Sequence, residues 1–138
     1  MKRLLHIGTD KKLLDLLSFV LRVTIAAFML THGIGKLSLL ASASEIQFPD
    51  PIGVGATFSL ALAVFAEVIC SILIGFGLVT RFATIPLIVT MLVATFIVHG
   101  ADPFAKKEFA LLYLLVYLAI FVVGSRKYSL DALFLNKK

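Results

Sequence analysis

Two charged side chains sit inside long apolar runs of this 138-residue chain: Arg22 between about Leu13 and Lys36, and Glu67 between about Ala56 and Val79. On insertion scales a charge at the centre of a membrane span costs about 2.5–3.5 kcal/mol, so such residues face a partner or water. Measured from the lysine-rich side, Arg22 lies ~14 Å into its run and Glu67 ~18 Å into its own, at 1.5 Å per residue. Opposite charges at matched depth on antiparallel neighbours are expected to pair. The pair is either a device that fixes helix register or a polar centre that anchors a ligand or carries protons. A buried pair adds little net stability, which makes stabilisation alone a weak reason for it.

A second group gathers at the other side. His32 and Lys36 are spaced i, i+4 and stack on one helical face. His99 closes the third apolar run and Glu108 opens the fourth, so His32, Lys36, His99 and Glu108 could line one polar mouth beyond Arg22 and Glu67. A neutral imidazole gives or takes a proton near pH 7, and Lys36 favours an anion. Two imidazoles could in principle hold haem or zinc, but Lys36 beside His32 repels a cation, and neither haem nor metal is expected. Cys70 is alone, so any redox role needs a bound cofactor or quinone. Tyr113 and Tyr117, one turn apart, read as packing, although aromatics can also sandwich a quinone ring. Arg81 reads as a headgroup or helix C-cap contact.

The elements that must position these residues are membrane helices. The chain is 60% hydrophobic and 15% charged, against roughly half and a quarter in a soluble domain. Four runs approach the ~20 residues a span needs: about Leu13–Lys36, Ala56–Val79, Phe82–His99 and Phe109–Gly124. They predict an all-α, antiparallel four-transmembrane-helix bundle over residues 13–125, with a basic segment 1–12 before it and a basic tail 126–138 after it. The first run is too long for a signal-peptide core, and Arg22 interrupts it, so it reads as a span although Ala41-Ser42-Ala43 resembles a cleavage site. The net charge is +5. Lys2, Arg3, Lys11, Lys12, Arg81, Arg126, Lys127, Lys137 and Lys138 share one side, against Lys36, Lys106 and Lys107 on the other. The positive-inside rule therefore places both termini in the cytoplasm. The pattern fits anionic headgroups and excludes nucleic acid as the expected partner. The 37–55 connection is long enough to cover a site, or is a plain connector. Leu130, Leu133 and Phe134 predict a short interfacial helix after Ser129.

The ordered set Arg22…Phe28-Met29-Leu30-Thr31-His32-Gly33-Ile34-Gly35-Lys36-Leu37, Ala66-Glu67, Gly77-Leu78-Val79-Thr80-Arg81, His99, Glu108 and Ser129-Leu130-Asp131 resembles the DoxX family of small four-helix membrane proteins over about residues 16–133. Members often carry more glycine before the final Ser-Leu-Asp than the single Gly124 here. The family takes its name from a subunit of an archaeal thiosulfate:quinone oxidoreductase, and some bacterial relatives resemble membrane partners of redox-defence enzymes. The resemblance implies a subunit associated with a membrane oxidoreductase in a bacterial or archaeal cytoplasmic membrane, with a quinone or small molecule at the polar centre. Two other readings stand beside it: a non-catalytic scaffold, and a small-molecule or proton transporter, an oligomer if so. A quinone role predicts an apolar cleft ending at His or Arg. A scaffold predicts a closed core with every charge paired, and a transporter predicts polar access from both faces.

Overall fold

A computed structural model describes residues 10–42 and 45–135 of the chain. Lys2, Arg3, Ala43, Lys137 and Lys138 of the sequence argument lie outside them. Four long helices follow one another: α1 (Lys11–Ser42), α2 (Ala56–Phe76), α3 (Thr80–Val98) and α4 (Phe104–Val123). A short α5 (Leu130–Leu135) ends the described residues, with the Ser129 hydroxyl accepting from the Ala132 N–H at its start. No strand occurs among the described residues.

The first three helices are long and apolar enough to cross a membrane. Large apolar side chains such as Phe58, Phe65, Phe82 and Phe96 point outward rather than into the core, as lipid-facing surfaces do. α4 carries Lys106, Lys107 and Glu108 in its first turns, and its apolar stretch begins at Phe109. Its inner face buries Leu114, Tyr117 and Ile120 against Met29, Cys70, Ile74, Leu87 and Met91. A smaller cluster of Leu60, Val64 and Val68 is covered by Ile46 and Phe48, which fold back from the 45–55 segment.

The α1–α2 register is set by small residues. A side chain at Gly33 would come within 2.8 Å of Val68 and 2.9 Å of the Glu67 backbone, so only glycine permits this approach. One end of the contact places Gly33 against Glu67, and the other places Arg22 against Gly77. Before Arg22, α1 overhangs α2 by about 16 Å and packs on the tail instead. There Arg126 Nε donates to Asp15 Oδ1 at 2.6 Å, and Ser18 Oγ donates to the Gly124 carbonyl at 3.0 Å.

Two helices widen into π turns, Phe65–Cys70 in α2 and Ala94–Val98 in α3. Such turns are rare and recur at functional sites. The first contains Glu67 and the second ends at His99.

Candidate functional site

The register overturns the expected Arg22–Glu67 pair. Arg22 is fully buried, but its Nη1 donates to the Ile74 carbonyl at 3.1 Å and its Nη2 to the Tyr128 carbonyl, with Asp131 close by. Glu67 pairs with Lys36 instead, through Nζ and Oε1. Matched depths would require the start of the first run to lie level with the end of the second. The overhang of α1 displaces Arg22 toward the α2–α3 turn, about 16 Å from Glu67 along α1, while Gly33 brings Lys36 within reach. The basic partner of the buried carboxylate therefore comes from the group assigned to the outer mouth.

Two cavities meet at that pair. The larger, about 340 Å³, runs along α2 and α3 under the 45–55 segment. Its walls include Leu62, Ala63, Val89 and Val93, with Phe48, Pro49, Pro51 and Ile52 over it. The smaller, about 210 Å³, lies toward α1 and α4 and reaches His32, Met29, Met91, Lys106 and Tyr113. Lys36, Glu67, Ala94 and His99 belong to both. The Glu67 side chain is 2% exposed and that of Lys36 31%, so the carboxylate is buried and the ammonium reaches outward along a half-buried stem.

Each polar group is aimed by its surroundings. His99 Nδ1 lies 2.8 Å from Asp102 Oδ2. The carboxylate can only accept, so Nδ1 carries the hydrogen and a neutral ring presents Nε2 as an acceptor. That bond, with Lys106 and Lys107 nearby, holds the Asp102 carboxyl below its ordinary range. His32 is exposed and packs edge-on against Tyr113, with ring centroids 6.0 Å apart. Tyr113 stacks on Tyr117 at 6.2 Å. Glu108 is exposed and lines neither cavity. So four of the six candidates, His32, Lys36, Glu67 and His99, come together, while Arg22 and Glu108 stand apart. No group of three or more His, Cys, Asp or Glu able to hold a metal occurs among the described residues.

Three polar devices were not read from sequence. Asp131 accepts from the Val79 N–H at 2.8 Å and the Thr80 N–H at 3.3 Å, capping α3 from the tail. Its position in Ser129-Leu130-Asp131 was the available signal. Asp50 accepts from the Val54 and Gly55 N–H groups and from Ser59 Oγ, at 2.8–2.9 Å. The third is a set of buried hydroxyls below Glu67. Arg81 Nη2 donates to the Val122 carbonyl at 3.2 Å in the last turn of α4, the helix-end contact expected of it.

Apolar helices around an ion pair and two cavities define a helical membrane protein with a polar centre. The DoxX family model matches residues 17–100, and the chain belongs to that family. It is also 30% identical over 115 residues to a Bacillus subtilis (strain 168) protein named "Putative oxidoreductase CatD", covering 83% of this chain and 84% of that one. No solved structure matches the chain.

Proposed function

We propose that this protein is a quinone- or small-molecule-binding subunit associated with a membrane oxidoreductase. The observation that carries the proposal is the 340 Å³ cavity, whose apolar walls end at Lys36, Glu67 and His99. An apolar slot with a few convergent polar groups is the usual form of a small-molecule site. It suits a flat, lipid-soluble ring with carbonyl oxygens. A bound quinone would supply the two-electron chemistry. The chain's own residues would bind and orient it: Lys36 donates to an oxygen or offsets negative charge there, and His99 and Glu67 exchange protons with the ring oxygens. Phe48 and Ile52 exclude water from the lid side. The name of the B. subtilis relative supports the oxidoreductase association.

The reading includes four spans, with both ends of the chain on the cytoplasmic face of a bacterial or archaeal membrane. It also includes contact with anionic lipid, a protein partner that supplies electrons, and room for homo-oligomers. The single cysteine supports the need for a redox-active ligand.

The test is native mass spectrometry of the protein in nanodiscs, with and without added short-chain ubiquinone or menaquinone. One quinone per chain is expected, lost in Glu67→Gln and when Leu62→Trp fills the slot. A protein that folds in nanodiscs, carries no quinone and takes up none when it is supplied would overturn the proposal.

A further inference from the structure

Glu67 has two oxygens and the pair with Lys36 uses only Oε1; Oε2 is buried without a hydrogen-bond partner. A buried carboxylate oxygen left unpaired costs several times what an ordinary hydrogen bond contributes. Two more buried atoms lie below it in the same condition, Ser71 Oγ and Tyr117 OH. Both residues are 0% exposed. Ser71 follows Glu67 by four residues on α2, and the Tyr117 hydroxyl faces the Ser71 hydroxyl near the limit of hydrogen-bonding distance, within electrostatic reach of Glu67.

Ser71 directly follows the π turn and is set apart from other helical hydroxyls. Thr31, Ser42, Thr84 and Thr90 donate to carbonyls three or four residues back in their own helices. That is the ordinary fate of a helical hydroxyl. Ser71 begins the turn that follows the π turn Phe65–Cys70, and its hydroxyl makes no such bond. Thr95, inside the second π turn, is likewise unpartnered. A buried water typically makes about three hydrogen bonds to groups of this kind. One acceptor-only oxygen and two hydroxyls, each able to donate or accept, match that requirement.

We propose that Ser71 and Tyr117 bind one water beneath Glu67 and, through it, hold the inner carboxylate oxygen in place. They are positioning residues: the water fixes Oε2 from below, which leaves Oε1 aimed at Lys36 and the cavities. The inference rests on Glu67 being the carboxylate of the proposed site, but not on what the site binds.

The test is infrared spectroscopy of the full chain in nanodiscs without added ligand. Glu67 bands are assigned by their loss in Glu67→Gln, and bound water by its shift in heavy-oxygen water. Tyr117→Phe removes one oxygen and keeps the ring, and Ser71→Ala tests the idea alone should that variant not fold. The expected result is a Glu67 carboxyl stretch that shifts in each variant, with loss of a heavy-oxygen-sensitive water band. A Glu67 stretch unmoved in a folded variant, or no bound-water band in the wild type, overturns the proposal. Quinone uptake on the same samples is read separately. A protein that shows these bands yet binds no quinone refutes the functional reading and leaves this one standing.

Discussion

Glu67 is buried and Lys36 only half so, and the energetics of the site follow from that asymmetry. Breaking a fully buried pair costs about 3–5 kcal/mol, while an exposed pair contributes under about 1 kcal/mol. Solvent screening at the Lys36 end places this pair between the two. Lys36→Met is therefore expected to destabilise the protein by about 2 kcal/mol, because it strands the Glu67 charge. Adding Glu67→Gln should restore part of that loss, giving a coupling of about 0.5–3 kcal/mol in a double-mutant cycle followed by thermal unfolding in detergent. Arg22 and Glu67 share no contact, so the same cycle between Arg22→Ala and Glu67→Gln should be additive. Strong coupling there would mean that the α1–α2 register is not the one described.

At the scale of elements, the tail holds the α2–α3 turn together. Gly77 turns at φ +71, where a side chain would also run into the Arg22 guanidinium, and Val79 sits at φ 43, a left-handed conformation costly for a β-branched residue. The Asp131 carboxylate bonds on both sides of the Val79–Thr80 step. Asp131→Ala is expected to cost about 1–2 kcal/mol, the worth of a good helix cap, and to speed hydrogen exchange first at the start of α3. The 45–55 segment offers a pH-dependent counterpart. The hydrogen bond from Ser59 first, then those from the Gly55 and Val54 N–H groups, lower the Asp50 carboxyl below its ordinary value of 3.8. A carboxyl lowered by folding stabilises the folded form above its unfolded value, and that contribution is lost as pH falls through the folded value. Proteolysis of the segment should therefore rise only below about pH 4, and Asp50→Asn should make it rapid at neutral pH. A segment equally resistant at pH 2 and pH 7 would sink the prediction.

The same elements show what the sequence could carry. Hydropathy locates α1, α2 and α3 because burial in lipid acts on every residue of a span. The register was not legible, since it depends on Gly33 meeting the Glu67 backbone and on α1 overhanging the hairpin to meet Gly124 and Arg126. The two π turns were not legible either: one extra residue in a turn leaves apolar periodicity almost unchanged. His32, Lys36, Glu67 and His99 stood out because ionisable groups are rare in apolar runs. Ser71 did not, because hydroxyls are ordinary there, and Tyr117 was legible only as a packing or ring-stacking aromatic.

The topology of the whole molecule turns on the fourth crossing. From Phe109 to Val123 the apolar run reaches only ~22 Å, against a hydrocarbon core of about 30 Å. The full helix from Phe104 reaches ~30 Å, and Lys106 and Lys107 can extend their amines back to the headgroups. Connectivity argues the same way. If α1, α2 and α3 each cross, Val98 lies opposite Lys11. Gly124 accepts from Ser18, and Arg126 pairs with Asp15, on the Lys11 side, so α4 is expected to return across the bilayer. Single cysteines can check this without removing Cys70, which is 2% exposed and should not react with an impermeant maleimide. Lys12→Cys and Lys127→Cys are expected to label only after the cells are permeabilised, and Ala101→Cys in intact cells. Labelling of Lys127→Cys together with Ala101→Cys would leave α4 on one side of the membrane. The smaller cavity, which α4 walls with Ala110 and Tyr113, would then open to water rather than lie within the bilayer.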